Sequence, residues 1–113
     1  MIFKTSFLKG AFFMVKHVIL WTLKNEYSAE EKRIIKAEMK EGLEGLYGKI
    51  QGLTEIKVYT DGLETSNTDV MLDSTFESFE ALKAYATHPD HVHVAKTLVV
   101  PFAAVRSCLD FNI

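Results

Sequence analysis

The chain has 113 residues, 48% of them hydrophobic, 25% charged and 12% aromatic, enough for one domain with a core and too few for two. That mixture excludes intrinsic disorder, which needs a shortage of apolar side chains. Thirteen basic against fifteen acidic side chains leave a net charge of −2, which gives no footprint for binding phosphate backbones, so no nucleic-acid partner is expected.

Met1 to Phe13 (MIFKTSFLKGAFF) reads as an apolar extension ahead of a domain spanning 14–113. Lys4 and Lys9 interrupt its apolar run and no A-x-A-like site follows, so it does not read as a secretory signal. Its four phenylalanines need cover, from their own domain or a neighbouring chain, so the extension is expected to contribute to assembly. Val15 to Lys24 (VKHVILWTLK) is rich in β-branched and aromatic residues and predicts a buried strand. Ser28 with Glu31 three residues later has the form of a capping box that opens a helix. Ile35, Met39, Leu43, Leu46, Tyr47 and Ile50 then recur at helical spacing, with the charged residues largely off that stripe. Gly42, Gly45 and Gly48 each weaken such a helix by roughly 1 kcal/mol relative to Ala, or mark a close approach that tolerates no side chain.

Leu53 to Thr60 alternates like a half-exposed strand, and Asp61 to Thr68 is a loop by composition. Asp69 to Glu77 alternates again, with Val70, Leu72, Ser74 and Phe76 on one side and Met71, Asp73 and Thr75 on the other. Ser78 caps a second helix running to His88, with Phe79, Leu82 and Tyr85 on one face. Pro89 breaks it. Asp90 to Val99 is a short further helix, and Ala104 to Phe111 the last strand. The order β-α-β-β-α-β is the split βαβ of an α+β, ferredoxin-like subunit, in which the first strand pairs with the third and the fourth. Its helices cover one sheet face only. The other carries Val18, Leu20 and Met71, an apolar surface that a second copy of the chain would cover, sheet against sheet. A homodimer is expected.

His17 shares a face with Ile19 and Trp21 at the start of the first strand, and Asp110 lies near the end of the last. Antiparallel pairing brings these two ends together, and the carboxylate would hold the imidazole in one tautomer. Tyr85 projects from the second helix, and the break at Pro89 lets His91 converge on it. A histidine near neutral pKa beside a phenol can move a proton to or from a bound carbonyl compound. Tyr85 and His91 are the candidate catalytic residues; His17, Ile19, Trp21, Leu72, Arg106 and Asp110 are the candidate lining of a substrate pocket. Packing alone also accounts for a buried histidine or tyrosine. His88 reads as a helix C-terminal residue meeting free carbonyls. His88, His91 and His93 lack zinc-ligand spacing and a cysteine nearby. No metal and no cofactor are expected. Cys108 reads as a small core residue; as the single cysteine it excludes an intrachain disulfide and fits a reducing, cytoplasmic setting. No stretch approaches eighteen apolar residues, so no membrane helix and no membrane partner are expected.

The opening V-K-H-V-I-L-W, the strand end T-F-E-S, the run Y-A-T-H-P-D-H and the closing C-L-D-F resemble the stress-responsive dimeric α/β-barrel (Dabb) family, over residues 14 to 113. Tyr-x-x-His-Pro-x-His is the most specific piece. The resemblance implies a homodimer of ferredoxin-like subunits whose sheets close into a barrel. It also extends to polyketide cyclases of the olivetolic acid cyclase type, which close a ring on a linear polyketide without cofactor or metal. Carried over by the resemblance, their catalytic tyrosine and histidine fall on Tyr85 and His91, with a further pocket histidine on His17 and an aspartate on Asp110. Trp21 and Arg106 stand where that enzyme type has leucines. The expected function is therefore a homodimer that binds a small apolar or aromatic molecule between helices and sheet. The alternative is a cofactor-free lyase or cyclase on a polyketide-like carbonyl substrate, with a cofactor-free monooxygenase below it. An open cavity of a few hundred Å³ would favour chemistry; a site filled by Trp21 would favour binding or structure alone.

Overall fold

The computed structural model describes residues 13–113. The expectation placed on the extension therefore lies, apart from Phe13, outside the described residues. Strand β1 (Val15–Leu23) alternates buried and less buried positions along its length, as a strand packed on one face must. Helix α1 (Ala29–Glu44) begins at Ser28, where both halves of the capping box are made: the Glu31 N–H donates to Ser28 Oγ at 3.1 Å and the Ser28 N–H to Glu31 Oε1 at 2.8 Å. Glu30 and Glu31 in its first turn also suit the positive end of the helix dipole. Ile35, Met39 and Leu43, one turn apart, form its buried seam.

The helix stops at Glu44, capped by Gly45. Leu46 and Ile50 continue into the core, but Tyr47 is 61% exposed. This corrects the expected stripe, because helical phase no longer holds beyond Glu44. Gly42 does mark a close approach: a Cβ there would run into the Leu98 side chain and lie 3.3 Å from Val94.

Strands β2 (Leu53–Tyr59) and β3 (Val70–Phe76) follow. Helix α2 (Phe79–Thr87) is capped by Ser78, whose hydroxyl accepts from the Ala81 N–H at 3.1 Å. Leu82 and Tyr85 are its buried residues; Phe79, at the first helical position, is 52% exposed with the Lys83 ammonium 5.0 Å from its ring centre. Phe79 thus leaves the face expected for it. His88 is extended, as a residue before proline should be, and Pro89 opens α3 (Pro89–Val94). His88 does not serve the carbonyls of the helix behind it: its Nδ1 accepts from the Asp90 N–H at 3.1 Å and so caps the helix ahead. A π-helical turn, Ala95–Val99, continues α3, and β4 (Ala103–Asn112) closes the chain.

The sheet order is β2-β3-β1-β4, antiparallel throughout. The β-α-β-β-α-β path makes β1 the partner of both β3 and β4, and the fold is ferredoxin-like α+β. Val15, Ile19, Trp21, Val58, Leu72 and Phe76 meet the helices in one core. Strand β4 departs from that order. It is exposed along nearly its whole length, Cys108 included, because it is an edge strand beyond the cover of the helices. The core role expected for Cys108 is not what this chain gives it.

Gly52 sits between α1 and β2 with φ +88, and a Cβ there would collide with that of Ala81 in α2. The left-handed backbone alone costs a non-glycine about 1–2 kcal/mol, and the Ala81 Cβ, fixed to the backbone of α2, has no rotamer by which to yield. Gly52→Ala should therefore lower unfolding stability by about 2–3 kcal/mol, read as an earlier urea midpoint at unchanged slope. An unchanged midpoint would refute that close approach.

Candidate functional site

The register of β1 with β4 sets His17 opposite Asp110, Ile19 opposite Cys108 and Trp21 opposite Arg106. All six side chains share the helix-facing side of the sheet. The His17 Nδ1 donates to Asp110 Oδ1 at 2.5 Å, which fixes that nitrogen as the donor and the ring in one orientation. Cys108 Sγ lies 3.8 Å from that Nδ1 and 3.5 Å from Asp110 Oδ1. Partial shielding of the sulfur from water, then the carboxylate of Asp110, push its thiol pKa up, so it holds its proton. Among the described residues, His17, Cys108 and Asp110 are the one set of such donors close enough to share a metal ion. The histidine and carboxylate are already satisfied by each other.

Across from this corner lies a cavity of about 320 Å³. His17, Ile19, Trp21, Leu72, Tyr85, His91 and Arg106, seven of the eight sequence-predicted site residues, line it. Asp110 stands behind His17 rather than in the wall. Trp21 does not fill the space; it is buried as part of the wall. Leu43 of α1, Leu82 and Ala86 of α2, Ala95 and Val99 of the π-helical turn, Val100 and Ala103 complete the lining and escaped the sequence reading as pocket residues. Leu43 was readable as core, but nothing in its spacing says that the core opens beside it. A hollow of about 620 Å³ lies mainly on the open sheet face, among Lys16, Glu55, Lys57, Tyr59 and Asp73. Its Lys16 and Asp73 are paired with each other at 2.8 Å, and no unpartnered buried group lies there.

Tyr85 is 1% exposed, and its hydroxyl is the one buried side-chain polar atom without a hydrogen-bond partner among the described residues. Burial raises its pKa far above the ordinary phenol value, so it stays a donor. The Tyr85 ring is 4.2 Å from that of His91, centre to centre, and 6.1 Å from that of His17. His91 Nδ1 lies 3.3 Å from the Ala86 carbonyl; an N–H donated there places the lone pair on Nε2. Burial, ahead of the positive charges nearby, lowers the His91 pKa below its usual value, and the ring is neutral at pH 7. The wall thus holds an undissociated phenol, two imidazoles and one guanidinium in otherwise apolar surroundings.

A four-stranded antiparallel sheet, helices on one face and a cavity between the layers define an α+β barrel subunit. Residues 15–113 match the Stress responsive A/B Barrel Domain, and the chain belongs to that family, Dabb. It is similar to a dimeric protein of unknown function with a ferredoxin-like fold from Bacteroides fragilis, at 32% identity over 88% of this chain and 96% of that one, TM-score 0.83. A Dabb family protein from Mesorhizobium loti is similar at 21% identity over 88% and 95% of the two chains, TM-score 0.67. A hydroxynitrile lyase from Passiflora edulis shares the fold at 20% identity over 88% and 93%, TM-score 0.67. No curated protein sequence matches. The family assignment carries the fold; it carries no relationship to the polyketide cyclases. Among the described residues no helix is long and apolar enough to cross a membrane.

Proposed function

We propose that the chain is a homodimer, packed sheet to sheet, whose subunits each take a small apolar or aromatic carbonyl compound into the cavity between helices and sheet. The observation that carries this reading is the unpartnered Tyr85 hydroxyl in the wall of that cavity. A buried polar atom left unpaired costs about 1–3 kcal/mol, and a ligand oxygen is the partner that removes the cost. The dimer is supported by the exposed Leu20, Val105, Leu109 and Phe111 on the open sheet face and by the dimeric Bacteroides fragilis relative. Native mass spectrometry of the protein purified from its own host tests both parts. Twice the chain mass with a retained small molecule is expected; a single chain mass at micromolar concentration would overturn the dimer.

A second reading is favoured by the close, tilted contact of the Tyr85 and His91 rings. Here the same site works as a cofactor-free lyase or cyclase. His91 accepts a proton from an activated carbon acid while the Tyr85 hydroxyl donates to the carbonyl oxygen where charge develops. The hydroxynitrile lyase built on this fold is a precedent at the level of scaffold only. His91→Ala should abolish turnover and leave the dimer folded. The lowered His91 pKa fixes the direction of a pH test. The unfolded chain takes up that proton from about pH 6.5 downward and the folded chain only at lower pH. The free base therefore persists into mild acid, while stability falls as pH drops through this window. An NMR titration should place the His91 midpoint below about 6.5; a midpoint above it would contradict the burial of the ring.

A further inference from the structure

The cavity wall contains no aspartate or glutamate, and Arg106 is its one permanently charged residue. Arg106 makes no ion pair among the described residues. The carboxylate four positions along its own strand face, Asp110, is bonded to His17. Arginine is always charged, and its planar fork matches a carboxylate with two parallel N–H bonds. Arg106 is exposed on the edge strand β4 and borders the cavity from that side, where beside apolar walls such as Ile19, Leu72, Leu82 and Val99 one unpaired cation sets the sign of what enters. His91 is neutral at pH 7 and adds no charge, and the Tyr85 hydroxyl donates as well. Apart from the two imidazoles, every polar side chain of the wall thus offers a proton toward an acceptor-rich, negatively charged ligand.

We infer that the ligand is a monoanionic carboxylic acid with an apolar or aromatic body, its carboxylate held by Arg106 and its body against Trp21, Leu72 and Val99. One cation matches one negative charge, which favours a carboxylate over a doubly charged phosphate. A volume of about 320 Å³, at the low end for ligand cavities, fits a single ring with a short chain. This inference rests on the reading of the cavity as a binding site.

The test is calorimetric titration of the whole chain at pH 7.5 with benzoate, phenylacetate and 3-phenylpropionate, each beside its neutral amide of the same shape. At least one acid should bind about tenfold or more tighter than its amide, the scale of a hydrogen bond to a charged group. That preference should vanish in Arg106→Leu and survive in part in Arg106→Lys. Equal binding of acid and amide, or a preference that persists in Arg106→Leu, overturns the inference and leaves the cavity reading standing. Binding of neither series overturns both. Circular dichroism and elution volume establish that the variants are folded.

Discussion

Tyr85→Phe should be more stable than the parent protein and far less able in its site. The variant removes one oxygen that is buried, unpartnered and neutral, and leaves the ring packed against Phe76 at 4.9 Å and His91 at 4.2 Å. Taking away an unsatisfied buried hydroxyl returns its desolvation cost, about 1 kcal/mol or more. For a domain of this size the unfolding midpoint should rise by about 4–8 °C. If the same hydroxyl is the donor to a developing oxyanion, turnover should fall about 10²–10³-fold. Differential scanning calorimetry beside a turnover or ligand-binding assay separates the two effects. A variant that melts earlier than the parent would mean that the hydroxyl is hydrogen-bonded inside the protein, and its donor role would go with it.

Leu109→Glu should convert the protein from dimer to monomer. Leu109 is 65% exposed in the single chain and sits opposite Val18 in the sheet, beside Leu20, Val105 and Phe111 on the face that no helix covers. Under the proposed packing that face meets its copy, so one substitution introduces two carboxylates into a dry, two-fold interface. An unpaired buried charge costs about 3–5 kcal/mol, and the two-fold axis makes two of them. Sedimentation velocity at micromolar concentration should show a single-chain species, still folded because Leu109 is outside the subunit core. A dimer that persists would place the interface elsewhere.

The strands and their pairing were legible because parity in β1 and β3 is written in the side chains themselves. Val70, Leu72, Ser74 and Phe76 point inward and are buried, and His17 falls opposite Asp110 because the first and last strands of this topology are antiparallel neighbours. Tyr85 and His91 were readable as companions, since a proline between them turns the chain. What failed to read is local geometry that no residue type announces. The limit of α1 decided that Tyr47 would face water, and the first helical position released Phe79. His88 carries a ring nitrogen that can cap in either direction; Pro89 restarted the helix and chose the forward one. Cys108 lies on the inward side of β4 by parity, yet an edge strand without a helix above it buries nothing by itself.

The π-helical turn Ala95–Val99 bears on how this cavity is dimensioned. Such a turn is an α-helix with one residue too many, accommodated by a wider loop of backbone. Here the wider loop brings Ala95, Val99 and Val100 onto the cavity wall together. Losing a single residue from it would restore the regular spiral and rotate the remainder of that helical segment by about 100° per residue, carrying Val99 and Val100 off the wall while the connection to β4 takes up the change. Chamber size in this scaffold is therefore governed by chain length at one place as much as by side-chain bulk. A frame-preserving insertion or deletion there would resize the chamber in one step, with the sheet, the His17–Asp110 corner and Arg106 left where they are.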